Sequence, residues 1–175
     1  MMRWIVMAGA VSLGAMGATV AFGQDATSLQ RARAAFVDGS GTNIGMAELT
    51  DTPQGVLIEL DISNLPPAQW VAFHIHETGK CDPADHHKSA GGHFNPDGRE
   101  HGYLAAKGPH AGDMPNQYVH SDGTLRAQVF KSFVRLAPGE YNILGRALMI
   151  HAKPDDYETQ PTGDAGDRIA CAVIE

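Results

Sequence analysis

The stretch "GVLIELDI", residues 55–62, most constrains what this chain can fold into, because Val56, Ile58, Leu60 and Ile62 recur at every second position with Glu59 and Asp61 between them. Side chains at i and i+2 of a strand share a face, so the pattern demands a half-buried β-strand. The chain repeats this logic. "RARAAFVDGSGTNIGMAEL" holds two strands around a Gly-rich turn, and "TLRAQVFKSFVRL" and "YNILGRALMIH" read as further strands. "SNLPP", "SDGT" and "LAPGEY" are turns by composition. Only "QDATSLQRARA" hints at helix. Many short strands joined by Gly/Pro turns predict an all-β sandwich or barrel.

A chain of 175 residues fits one domain, or one domain plus a processed segment. Residues 1–23 read as a secretory signal peptide: Arg3 supplies a positive charge, an uncharged apolar run follows, and the small residues Ala21 and Gly23 precede Gln24. A retained membrane anchor is the alternative, but the many Gly and Ala residues make the run only weakly apolar. Residues 24–33 are expected to be a flexible N-terminal segment and 34–175 the folded domain, exported and free of the membrane after cleavage. Losing Arg3 leaves 12 basic against 20 acidic residues, a net charge of −8. A chain this acidic is a poor nucleic-acid binder.

"QWVAFHIHE", residues 69–77, reads as a strand with Val71, Phe73 and Ile75 toward the core. His74 and His76 then share the outward face. From Glu77 to about Val119 the alternation fades, and Gly, Pro, Asp and His dominate. A loop of roughly 40 residues is uncommon in a compact domain unless it is functional or disordered. Residues 152–167 form a second, shorter loop. Eight of the nine histidines fall between positions 74 and 120. Solvated histidines would scatter, so the clustering favours metal ligation. Imidazole suits both copper and zinc, and a carboxylate such as Asp113 can complete a tetrahedral zinc site. The only two cysteines, Cys81 and Cys171, lie in the exported part and are most simply a disulfide. Metal thiolates are the alternative, although neither cysteine sits in a CxxC.

In order along the chain, "FHIHE", "GGHFNP", "PHAGD", "GRALMIH" and "GDRIACAVI" resemble the successive motifs of the copper/zinc superoxide dismutase family. The similarity runs from about Ala34 to the C-terminus and has the details of a bacterial, exported (periplasmic) member. The resemblance implies a Greek-key β-barrel of about eight antiparallel strands with two long functional loops. It implies one copper and one zinc per subunit, and dismutation of superoxide to dioxygen and hydrogen peroxide by Cu(II)/Cu(I) cycling, as antioxidant defence outside the cytoplasm. His74, His76, His93 and His151 would bind copper, and His93 would bridge to zinc as an imidazolate. His101, His110 and Asp113 would complete the zinc site. His93 would take up a proton when the bridge opens, and Arg168 would attract the anionic substrate. Asp155 would link a copper-ligand histidine to a zinc-ligand histidine, and Thr162 would face Arg168 across the substrate channel. Cys81 and Cys171 match the family disulfide.

His86, His87 and His120 match no family ligand and read as solvated loop histidines, with a loose copper-capturing patch at His86 and His87 as the alternative. Two features depart from many eukaryotic members: Pro161 stands where they have Lys, and the second loop is short and acidic. The field drawing an anion in must then come from the metals, Arg168 and nearby Lys88, Lys107 or Lys153. A copper carrier on the same fold would lack a copper ligand or Arg168, and a copper-only relative would lack zinc ligands. None of these residues is missing. Monomer and homodimer both remain open.

Overall fold

The computed structural model describes Met1 and residues 29–175, so the expected signal peptide, apart from Met1, and residues 24–28 of the expected flexible segment lie outside the described residues. Nine strands are described: β1 (Arg31–Asp38), β2 (Asn43–Thr52), β3 (Gly55–Ile62), β4 (Gln69–Val71), β5 (Phe73–His76), β6 (Gln117–Val119), β7 (Leu125–Ser132), β8 (Ala147–His151) and β9 (Arg168–Val173). Seven form one antiparallel sheet in the order β5-β8-β9-β1-β2-β3-β7, and β4 pairs with β6. The sheet curls on itself, because side chains from its two ends meet in one core: Phe73 and Ile75 of β5, Ile58 of β3 and Leu125 of β7 share a single buried cluster. The all-β, antiparallel expectation holds, with nine strands instead of about eight.

Alternation placed the strands well where it was strict. On β3, Val56, Ile58, Leu60 and Ile62 are buried while Glu59 and Asp61 are exposed. The first boundary needs correction. β1 begins at Arg31, three residues before the expected start at Ala34, and the helical hint ends as strand here. Ala32 is buried in step with Ala34 and Phe36, and Arg33 exchanges main-chain hydrogen bonds with Glu175, both 2.8 Å. Burial and pairing override a weak local propensity. "YNILGRALMIH" contributes only its second half, since Gly145 turns the chain at φ +76° before β8 starts at Ala147.

"QWVAFHIHE" is two strands, not one. At Ala72 the chain changes partners, from β6 on one side to β8 on the other. Ala72 bridges the change by donating to Lys153 O (2.8 Å) and accepting from His151 N–H (3.0 Å).

The 77–116 loop, with two short 3-10 turns at Pro83–Asp85 and Lys88–Ala90, covers the outer face of β5, β8 and β9. Ala90, Ala147, Met149 and Cys171 form a second buried cluster there, with Cys81 packed against it. The Cys81–Cys171 disulfide ties the loop to β9, with a Cα–Cα distance of 5.5 Å. The loop also pairs with β5 directly: Ile75 N–H donates to Gly112 O (2.8 Å) and Phe94 N–H donates to Ile75 O (2.8 Å). A Cβ at Gly112 would stand 2.3 Å from Ile75 O, so this backbone approach requires glycine.

Candidate metal centre

His74 and His76 project from β5 on the face opposite Phe73 and Ile75, as the alternation predicts, yet both are fully buried because the loop roofs that face. Isolated bridges place His93 opposite His76 and Asp113 opposite His74. His151 arrives at the end of β8. The result is two adjoining donor sets. Ligand atoms of His74, His76, His93 and His151 lie within 4.8 Å of one another, and so do those of His93, His101, His110 and Asp113. His93 belongs to both.

The hydrogen bonds around these rings select which nitrogen faces each centre. His76 Nδ1 is committed to Gly91 O (3.0 Å) and His151 Nδ1 to Gly166 O (3.3 Å), so their Nε2 atoms face each other at 3.3 Å. His74 is turned the other way: its Nε2 meets Asp155 Oδ2 at 2.8 Å, and its Nδ1 is buried without a partner. His93 Nε2 is likewise buried and unpartnered, pointing to the same set. Two orphaned imidazole nitrogens in a dry site are costly unless a metal or proton is held there. Both sets fit a metal in donor type, donor number and tautomer control.

The second set converges on Asp113. Its Oδ1 lies 2.9 Å from His93 Nδ1, 3.1 Å from His101 Nδ1 and 3.3 Å from His110 Nδ1. Its Oδ2 accepts from the main-chain N–H groups of Gly102 and His110, both at 2.9 Å. Burial alone would raise this carboxyl's pKa, but the three imidazoles and Gly102 N–H hold it well below the usual carboxylate range. Asp113 is therefore an anion at any physiological pH.

Asp155 lies between the two sets. It accepts from His74 Nε2 and, through Oδ1, from His101 Nε2 at 2.9 Å. Burial opposes its charge, yet these imidazole contacts and Tyr157 N–H keep its pKa depressed. Its neighbour Asp156 turns outward to cap Thr159 and touches neither ring. For His101, burial acts to lower the pKa, but hydrogen bonds and charge from Asp113 and Asp155 carry it up to about 9. His93 goes the other way, down to about 4, chiefly because burial disfavours the cation. Burial also pushes His76 and His151 well below 6.5, and neighbouring histidines add to it.

Arg168, the first residue of β9, lies beside the first set. Its guanidinium, half-buried, donates to His87 O (2.7 Å) and Gly91 O (2.6 Å). Thr162 is half-buried in the second loop. Lys88 and Lys107 are exposed, and Lys153 reaches Asp164 at 3.7 Å, which offsets its charge.

Four supporting residues escaped the sequence reading. Asn116 clamps Asp155 by giving a hydrogen bond to its carbonyl (2.9 Å) and taking one from its N–H (2.8 Å). Gln160 holds the His101 main chain through both its amide oxygen (2.7 Å) and nitrogen (2.9 Å). Gly163, at φ +69°, lies where a Cβ would meet Asp155 Oδ1 and stand 2.7 Å from His101 Nε2. Lys131 is buried and donates to Asp113 O at 2.7 Å. It shares the inward phase of β7 with Leu125 and Val129, a signal the alternation carried. One expectation is overturned. His86 and His120 are exposed, but His87 is fully buried, because the loop folds it inward against β1.

Residues 43–174 match the copper/zinc superoxide dismutase family. A copper-zinc superoxide dismutase of Aquifex aeolicus is 53% identical over 149 residues, 83% of this chain and 88% of that protein. Among solved structures, a superoxide dismutase-like protein from Bacillus subtilis superposes with a TM-score of 0.76 at 36% identity, covering 80% of this chain and 95% of that one. The Cu/Zn superoxide dismutase from Brucella abortus superposes with a TM-score of 0.69 at 26% identity, covering 83% of this chain and all of that one. With a matched family over most of its length and two donor sets sharing one histidine, the chain belongs to the copper/zinc superoxide dismutase family.

Proposed function

We propose that this chain is a superoxide dismutase that carries copper at His74, His76, His93 and His151, and zinc at His93, His101, His110 and Asp113. The observation that carries the reading is His93: its Nδ1 is turned to Asp113 while its buried Nε2 faces the other set with no partner. One ring thus serves two centres. A copper bound there supplies the reversible one-electron chemistry that turns two superoxide anions and two protons into dioxygen and hydrogen peroxide.

The chain's own residues supply the rest. Asp155 fixes the rings of His74 and His101 from behind, so donors in both sets are oriented by one carboxylate. Asp113 and its main-chain donors hold the second set together. His93 Nε2 is the atom placed to hold a proton for the departing product. Arg168, pinned by two carbonyls, presents a fixed positive charge to an incoming anion, and Thr162 borders the same channel. The protein as a whole is acidic, so this local field must do the attracting.

We also propose export: residues 1–23 act as a cleaved signal, and the mature chain works in the periplasm, where its disulfide is stable. No helix among the described residues is long and apolar enough to cross a membrane.

Metal analysis and a dismutation assay on the mature chain, reconstituted with copper and zinc, test the reading together. One copper and one zinc per chain with azide- or cyanide-sensitive activity is the expected result. Stoichiometric metal without such activity would sink the enzyme assignment. N-terminal sequencing of the periplasmic protein tests the export.

A further inference from the structure

We propose that the buried ring of His87 is a peg that positions Arg168, by anchoring the loop turn whose carbonyls hold the guanidinium. This rests on the reading of Arg168 as the anion-attracting residue. The two acceptors of Arg168, His87 O and Gly91 O, flank the 3-10 turn Lys88–Ala90. Where that turn sits therefore decides where the charge sits.

The turn is closed by its own bonds, Ala90 N–H to His87 O (3.1 Å) and Gly91 N–H to Lys88 O (3.0 Å), and tied to the loop by Ser89 N–H to Asp85 Oδ2 and Thr78 N–H to Ala90 O, both 3.0 Å, but its entry is strained. His86 and His87 are consecutive non-glycine residues in the left-handed region, at φ +57° and +58°. Such residues persist only where their surroundings over-determine them. One restraint is the disulfide at Cys81, six residues upstream. Another is His87 N–H, which donates to Asp82 O at 2.9 Å. A further one is the His87 side chain, which has no exposed surface at all.

That ring performs no polar task. Neither of its nitrogens has a hydrogen-bond partner, although buried polar groups almost always find one. The Asp38 main chain lies close by without reaching hydrogen-bond geometry, and burial lowers the ring's pKa and keeps it neutral. It belongs to neither donor set. Nearby, Pro83 packs toward Gly41 in the β1–β2 turn, so this part of the loop is seated on the barrel. His87 is used there as volume: a flat ring wedged under the turn that carries the carbonyls.

The test compares His87→Ala, His87→Phe and Arg168→Ala, each loaded with copper and zinc. Azide affinity is read from the Cu(II) optical or EPR spectrum, and the ionic-strength dependence of the dismutation rate is measured beside it. With one of two charge-assisted bonds no longer fixed, His87→Ala should bind azide about tenfold more weakly and show a flatter salt dependence, with both metals retained. His87→Phe, which keeps the ring volume, should restore both. Wild-type azide affinity in His87→Ala beside weakened affinity in Arg168→Ala would overturn the peg and leave the reading of Arg168 intact. A His87→Phe variant as impaired as His87→Ala would also overturn it, because the nitrogens and not the volume would then matter. Wild-type azide affinity in Arg168→Ala would remove the reading of Arg168 itself, and the peg with it.

Discussion

Arg168 stands directly across the β8–β9 ladder from His151, one residue out of the register set by Ile150 and Ala170. Two residues of β9, Ile169 and Arg168, are passed where β8 advances by one. Such bulges re-aim side chains at the ends of strands. Here the slip puts the guanidinium on the outer face beside a histidine of the first donor set. Arg168→Ala should lower the rate at low ionic strength by about tenfold or more, the scale of a lost focusing charge. Salt should then matter less, while copper and zinc remain bound. Stopped-flow rates at several ionic strengths, with metal analysis, decide this.

His151 joins only the first set. His151→Ala should therefore abolish dismutation and copper retention while largely sparing zinc. Metal content by mass spectrometry after dialysis reads the split directly. Loss of both metals together would mean that the two sets are not separable in this way.

Asp155 touches one ring from each set. Asp155→Ala should weaken binding of both metals by about 10–100-fold, as loss of an orienting carboxylate commonly does. Chelator competition would show it. Gly163→Ala should resemble a milder version, because its new methyl would push on the same carboxylate.

The disulfide closes a loop between positions 90 apart in sequence. In the chain-entropy model such a link contributes about 4–5 kcal/mol, so Cys81→Ser with Cys171→Ser should lower Tm markedly. Because Cys81 begins the loop that holds Arg168, the same variant should also weaken azide binding. Calorimetry and azide titration on one sample test both expectations.

His87 is buried neutral, and burial depresses its pKa below 6.5. As pH falls below about 6.5 the unfolded chain takes up a proton there before the folded one does, so the native state loses stability. The groups facing the ring are Asp85 on its own loop, Asp38 on β1 and Arg168 on β9. The two carboxylates moderate the shift and Arg168 adds to it. His87→Phe should therefore lose less Tm than wild type between neutral pH and pH 5. Parallel curves for the two proteins would contradict this.

Much of the site was legible because strand alternation and motif spacing are local. His74 and His76 had to share a face once Phe73 and Ile75 claimed the core, and Asp113, His101 and His110 lie in one loop. The support around them was not legible, because it joins distant segments. Asn116 and Asp155 come from different loops, as do Gln160 and His101, and no local pattern foretells their meeting. His87 was misjudged as solvated for the same reason. A histidine in a polar loop has no period that marks it as inward.

The sequence by itself determined an all-β chain, a clustered histidine set of a kind that can hold metal and the disulfide partners, since these follow from periodicity, residue chemistry and motif order. Tertiary structure decided that the outer face of β5 is buried, that Arg168 is out of register beside His151, and that a loop histidine is buried while its carbonyl holds that arginine. Burial and register depend on what packs across a face, and that is set only when the loop between residues 77 and 116 closes over the barrel.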